Sequence, residues 1–537
     1  MKKTLFALVP LVVLATLGSA SNQATDNSGF RVLPYLLNPS DSGMTVTWFS
    51  TTETPGLLEV AGQRYTSEPQ VMKALEYSEL EQKERPQFPD MFENKNVRHV
   101  VQIKGLESGK RYTYRVTQGS QTHRAQFQTA PRLDAKSPIR FVVLSDSETD
   151  PAGRTTKREW GNSKDAPAAQ APGSTGRPAA LPKDARGQEL YLATETEGYK
   201  ANVRTIVERS PNLVLFPGDL VQGGGYQRAW DEFFFHNAGK FDQLFDKAPI
   251  LPALGNWENF GARNGAYEPA AVLAARNKYK AYFSLPSNNN PKYKNQYYRI
   301  DYGPITFITL DSSNGLPDST REKPNDADTQ NNVSVATYPG DDLADYNPGS
   351  DQWNWAEAQL KDAHSKGQLI FVQWHHAPYS IGEHGFAQTQ AGTSGQGGVA
   401  MRVYSPMLEK YGVVAVFSGH SELFERSLVR GIHYYDVGVA GDGLRGSQPP
   451  AIARRNNPAN QWTAHNNEPE LWNGNILLSG GKHYGHLEVN VTPLGNKRFR
   501  VSLTPVHVFP VANENFEVQR WERREYNDKV ELTVKTK

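Results

Sequence analysis

Val413-Val414-Ala415-Val416-Phe417-Ser418-Gly419-His420-Ser421-Glu422 is an apolar run that ends in a glycine, an imidazole and a carboxylate. Its length and β-branched content fit a strand buried on both faces, as in a sheet covered by other layers. Alternation along an extended chain then presents His420 and Glu422 on the same side at the strand's end. One such end carries no chemistry by itself, because a polar residue after a strand is ordinarily a turn or a cap. The stretch gains its meaning from four earlier ones built on the same plan.

Working backwards, Leu369 to Gln373 runs into Trp374-His375-His376-Ala377-Pro378-Tyr379-Ser380, and Ile250 to Leu254 into Gly255-Asn256-Trp257-Glu258. Leu213 to Phe216 precedes Gly218-Asp219, and Ile139 to Leu144 precedes Asp146-Ser147-Glu148. A further strand is expected at Ile305 to Leu310. Tyr199, Val203, Ile206 and Val207 mark one helix face, and Trp353, Ala356, Leu360 and Ala363 another. Strands alternating with helices predict an α/β layer structure. In open α/β sheets the carboxyl ends of the strands line the ligand crevice, so five ends that carry oxygen and nitrogen donors converge on one site. The inferred site is a binuclear metal centre.

Ahead of this unit, Phe30 to Pro131 reads differently. Met44, Val46 and Trp48 alternate with threonines, and Tyr112, Tyr114 and Val116 with polar residues, which predicts an antiparallel β-sandwich of about a hundred residues. The segment Leu106-Glu107-Ser108-Gly109-Lys110-Arg111-Tyr112 and the strand after it resemble the corner of fibronectin type III-like domains. The expected organisation is a signal segment at 1–20, the sandwich at 30–131, and the α/β domain at 138–510. Polar insertions fall near 150–185 and 314–350, and 511–537 reads as a charged tail. Alternation of Leu487, Val489 and Val491 predicts late strands that complete the second sheet of the α/β domain.

Composition excludes several classes. Lys plus Arg number 58 against 57 Asp plus Glu in 537 residues, so no global charge favours nucleic acid or an anionic membrane, and an acidic ligand must be held locally. There is no cysteine, hence no disulfide, no cysteine-linked lipid and no thiolate metal site. Met1-Lys2-Lys3, the apolar Leu5 to Leu17 and Gly18-Ser19-Ala20 read as a secretory signal cleaved after Ala20, too short to stay as a membrane anchor. The expected localisation is secreted or periplasmic.

The ordered series of strand ends resembles the calcineurin-like metallophosphoesterases, whose pattern runs Asp-x-His, Gly-Asp, Gly-Asn-His-Glu or Asp, a lone His, and Gly-His-x-His. Gly419-His420-Ser421-Glu422-Leu423-Phe424-Glu425-Arg426 is most similar to the closing motif of purple acid phosphatases, which also carry an N-terminal sandwich. The resemblance implies a four-layer α/β fold, a β-sandwich flanked by helices, behind an immunoglobulin- or fibronectin-like all-β domain. It implies Asp219 as the bridging carboxylate, with Asn256, His375 and His420 at one metal. Asp146 belongs to the other metal, where Glu148 and Glu422 stand in place of the family's histidines. Oxygen in place of imidazole suggests a hard ion there, Mg, Mn, Ca or Fe, beside Zn, Mn or Fe in the second site. Converging carboxylates also require a cation among them, whether an ion or, failing that, a Lys or Arg.

Trp257 replaces the family's motif histidine, and indole has no proton to transfer. His384, or else His376, is the candidate replacement acid. Gln222 stands where purple enzymes place an iron-binding tyrosine, with Tyr226 four residues on, so no iron-tyrosinate centre is expected. His433, His483 and His486 are read as structural. The leading expectation is an exported phosphoesterase acting on a small phosphate ester, by attack of a metal-bound hydroxide with no phosphoenzyme. The alternative is a phosphate-ligand binding protein of the same family that has lost turnover. An extracellular adhesion module built on the sandwich is a third, since the sandwich alone does not call for the strand-end donors.

Overall fold

The computed structural model describes residues 29–149, 193–266, 268–312, 344–346, 348–385, 397–442, 444–464, 470–474, 476–512 and 518–537. The signal-like segment, the insertion at 150–185 and all but the end of the insertion at 314–350 lie outside them.

Two sheets form the α/β domain. In the first, Ile139–Val143, Leu213–Phe216 and Ile250–Pro252 run parallel, and Gly485–Gly495 joins Ile139–Val143 on its other side in antiparallel register. In the second, Ile305–Thr309, Leu369–His376, Val413–Gly419 and Ile432–Val437 run parallel. Every residue of Leu213–Phe216, Leu369–His376 and Val413–Gly419 is buried, as strands covered on both faces must be. Phe141 of the first sheet meets Phe307, Phe371 and Phe417 of the second, with ring centroids 5.0, 5.2 and 6.1 Å away. Those edge-on contacts are the centre of the core between the sheets.

Helix Glu195–Arg209 starts at a capping box between Thr194 and Glu197, and Asp351–Lys366 starts at the Ser350 hydroxyl and stops at the left-handed Gly367. Two helices escape the periodicity reading. Gln227–Asn237 is buried at every position, so its polar residues do not mark a solvated face. Pro269–Tyr282 opens on a proline at its first turn, which reads in sequence as a break.

The stretch beyond Phe509 departs from the tail expected at 511–537. Val518–Tyr526 and Val530–Lys535 both pair with Arg498–Ala512. Val530, Leu532 and Val534 are half-buried while Glu531, Thr533 and Lys535 are exposed. A strand with one solvated face carries too few apolar residues to stand out by composition.

The N-terminal domain is a sandwich of two four-stranded sheets. One contains Phe30–Leu37, Met44–Ser50, Gln70–Val71 and Val97–Ile103; the other Leu57–Val60, Gln63–Thr66, Arg111–Gln118 and Gln121–Gln128. The corner expected near Tyr112 is present, since the Glu107 N–H donates to the Tyr112 hydroxyl at 2.9 Å. The sandwich is fused to the α/β domain. Leu33 and Leu36 donate their N–H groups to the Ala238 and Phe245 carbonyls at 3.0 and 2.9 Å. Arg31, fully buried, pairs with the equally buried Asp231 at 2.9 Å.

Removing one partner of a buried ion pair strands the other charge. Asp231→Ala should therefore lower unfolding stability by about 3–5 kcal/mol. Urea denaturation checks this, and a single cooperative transition at wild-type stability would contradict it.

Candidate metal centre

The five strand ends come together where the two sheets meet. Asp219 Oδ2 lies 3.0 Å from His375 Nε2. Asn256 Oδ1 lies 2.8 Å from that same nitrogen and 2.9 Å from His420 Nδ1. Donor atoms of Asp219, His375 and His420 all fall within 4.8 Å of one another, and so do those of Asp146, Glu148 and Asp219. Asp219 belongs to both groups. A third group of the same compactness joins Glu148 and Glu422 to Asp442.

The chemistry of the first group calls for a cation. His375 Nδ1 is 2.9 Å from the Pro217 carbonyl, which only accepts, so Nδ1 carries the proton. In the neutral ring Nε2 is then a lone pair, yet it faces a carboxylate oxygen and an amide oxygen. Protonating the ring would satisfy both, but burial pushes the His375 pKa down. A metal ion among Nε2, Oδ2 and Oδ1 removes the conflict, and a ligand histidine fixed by a carbonyl at its other nitrogen is the usual arrangement.

Local geometry is bent to serve this convergence. Asp146, Glu148, Asp219, His420 and Glu422 have φ of 59°, 38°, 51°, 78° and 51°. This left-handed backbone costs non-glycine residues roughly 1–2 kcal/mol each. These are five of the seven ligands expected from sequence, so strain is concentrated where donors are aimed. Close approach is the second device. A Cβ on Gly255 would stand 2.1 Å from Asp219 Oδ1, and one on Gly419 2.0 Å from Asp146 Oδ2. The glycines of the motifs are thus holes filled by a ligand of a different motif.

Asp146 accepts the His420 N–H at 3.0 Å. The Trp257 backbone N–H donates to Asp219 Oδ1 at 3.0 Å, while its half-buried indole meets Phe260 edge-on at 5.0 Å. His384 and His376 both abut the His420 ring, with centroids 4.1 and 4.3 Å away. His376 Nδ1 is 3.0 Å from the Ser312 hydroxyl. Burial, and secondarily His375, lowers His384 to about 4. The Tyr226 hydroxyl donates to Glu84 at 2.8 Å and the Gln222 N–H to the Thr149 carbonyl at 3.2 Å. His433 lies by Arg426, His483 by Glu470 and His486 by Asn202.

The structure adds three residues to those expected. Glu422, expected beside Asp146, Glu148 and Asp219, groups with Glu148 and with Asp442, and accepts from Arg445 Nε. The left-handed turn at His420 and Glu422 sends the two side chains to different groups, which strand alternation does not anticipate. Arg445 also pairs with Glu383, and so supplies one of the positive charges the carboxylates require. Asp442 was missed, although Gly441-Asp442 after an apolar strand repeats the grammar of Gly218-Asp219. Glu258 is the third. Fully buried, it accepts the N–H groups of Asp219, Leu220 and Gly255 at 2.9, 2.9 and 2.7 Å, locking two ligand turns together.

Burial raises Asp146 to about 7 and Glu258 to about 8, Asp219 adding to both. The unfolded chain releases these protons near pH 4. The contribution to stability is therefore fully present below about pH 4 and lost as pH rises through 7 and 8. Above the range in which the buried histidines titrate, chelator-treated protein should melt progressively lower between about pH 7 and 8.5, and added Mn²⁺ should restore it. A melting temperature that climbs over this window without metal would count against the arrangement.

Known proteins fit this geometry. The profile of the calcineurin-like phosphoesterase family matches residues 192–421. Residues 192–421 are similar to a calcineurin-like phosphoesterase domain. The fold is similar to that of purple acid phosphatase PPD1 from yellow lupin (Lupinus luteus) seeds, at 15% identity and TM-score 0.57, over 93% of this chain and 74% of that one. It is also similar to PhoD, at 13% identity and TM-score 0.54, over 93% of this chain and 90% of that one. No curated protein sequence matches the chain. Calcineurin-like phosphoesterase domains imply divalent metal ions, and the donor groups described above suit them.

Proposed function

We propose that the chain is an exported phosphoesterase that hydrolyses small phosphate esters at a binuclear metal centre. The observation that carries the reading is the lone-pair conflict at His375 Nε2, where a carboxylate oxygen and an amide oxygen face the ring nitrogen in a buried site and a cation among them would resolve it. Asp219, Asn256, His375 and His420 would hold one ion, which suits Zn, Mn or Fe. Asp146, Glu148 and Asp219, with Glu422 at the edge, would hold a harder one such as Mg, Mn, Ca or Fe. When bound, such ions neutralise phosphoryl oxygens and acidify water. The chain's own part is to orient: Pro217 fixes the His375 ring, Glu258 fixes the Asp219 and Gly255 turns, and Asp219 joins the two sites. Export rests on the signal-like Met1 to Ala20; among the described residues no helix is long and apolar enough to cross a membrane.

His384 is the proposed proton donor to the leaving oxygen. Neutral in the free site, it would take up its proton with an anionic substrate. His384→Asn should reduce kcat on alkyl phosphates about 10²-fold or more while sparing p-nitrophenyl phosphate, whose leaving group needs no proton. Equal losses on both substrates would assign His384 to binding instead.

One observation favours the second reading, a binding protein without turnover: Trp257 offers the site a backbone N–H but no acid. A panel of monoesters, diesters and nucleotides with Mn, Mg, Ca, Fe and Zn decides between them. Tight phosphate binding with no hydrolysis under any metal would select the second.

A further inference from the structure

The two ligand-bearing turns of the α/β domain continue into loops that run to the surface of the N-terminal sandwich. Asp219 heads the loop that ends at Tyr226, and Asn256 heads the loop that ends at Asn264. The loops are zipped to each other, the Gly224 and Gly225 N–H groups donating to the Trp257 and Phe260 carbonyls at 2.7 and 3.0 Å. Their far ends meet a short helix, Glu79–Glu84, inserted between strands of the sandwich.

Glu84 holds the tails of both loops, and Glu81 holds the second loop together with the helix that follows the first. Glu84 accepts from the Tyr226 hydroxyl at 2.8 Å and pairs with Arg263. Glu81 accepts the Arg228 N–H at 3.0 Å and the Asn264 side-chain amide at 3.4 Å. Glu81 is fully buried and Glu84 nearly so. The helix Gln227–Asn237 has no side-chain cap of its own, because Tyr226 at its N-cap makes no capping bond to the first turn. Glu81 supplies that acceptor from another domain, at the helix end where negative charge is favoured.

We infer that Glu81 and Glu84 are positioning residues for the metal centre, so that the sandwich is part of the active-site scaffold. The inference rests on Asp219 and Asn256 being metal ligands. Two loops that each carry a ligand at the head and are clamped at the tail have little freedom left; Glu84 clamps both tails, and Glu81 fixes the second tail and the start of the helix after the first. Outer partners that orient ligands typically govern metal affinity by 10- to 100-fold.

Full-length protein stripped with chelator and titrated with Mn²⁺ by calorimetry gives the test, alongside melting temperature. Glu84→Ala and Tyr226→Phe should each weaken Mn²⁺ binding about 10-fold. The double variant should be no weaker than Glu84→Ala, because the bond to Tyr226 is already lost there. Glu84→Gln, which keeps an oxygen for Tyr226, should bind close to wild type. Variants that bind Mn²⁺ as tightly as a metal-binding wild type overturn this inference alone, and so does weaker binding fully accounted for by a lower folded fraction. A wild-type chain that binds no Mn²⁺ overturns the metal centre together with it.

Discussion

Asp219→Asn should lower kcat/KM by roughly 10³-fold or more, the factor that several kcal/mol of lost metal-ion stabilisation implies. Asparagine keeps the size of the side chain and an oxygen to accept the Trp257 N–H, so the turn is retained. What disappears is the charge shared by the two donor groups, since Asp219 alone stands in both the His375–His420 set and the Asp146–Glu148 set. A phosphate-release assay at saturating Mn²⁺ reads the effect, with circular dichroism confirming the fold. Activity within tenfold of wild type would mean that the two groups do not share Asp219 during turnover.

The second large effect is expected from a residue with no side chain. In Gly419→Ala the new Cβ would stand 2.0 Å from Asp146 Oδ2 and 2.2 Å from Ser145 Oγ, far inside contact distance. Overpacking of a buried site costs about 1–3 kcal/mol, and the atom that must move is a candidate ligand. Metal affinity should therefore fall by roughly 10- to 100-fold, with a lower melting temperature. Denaturation and Mn²⁺ titration of one preparation check both parts, and wild-type values for both would show that Asp146 has room to spare.

These two residues also mark what sequence conveys. Val413–Gly419 and Leu369–His376 are legible because strands buried on both faces are apolar throughout, and a glycine or a donor at the end of such a run is conspicuous. The N-terminal sandwich is legible for the opposite reason, alternation. Direction is not legible. The resemblance separates His420, beside Asn256, from Glu422, beside Glu148, but the two left-handed residues that produce the division and the place of Asp442 beside Glu422 are not announced by the letters Gly-His-Ser-Glu. Glu258 and Glu81 were also beyond reach, because both act by accepting backbone N–H groups from segments distant in the chain. The strand Val530–Lys535 was hidden by its own solvated face.

Whether cations occupy the space among His375, His420, Asp219 and Asp146 decides whether this chain is a metal-dependent phosphoesterase. Elemental analysis of purified protein, before and after chelator and coupled to phosphoester hydrolysis, measures this most directly. The account predicts two equivalents of metal per chain, loss of hydrolysis on stripping, and its return on adding metal back. Protein that holds no metal and hydrolyses phosphate esters undiminished after chelation would contradict it.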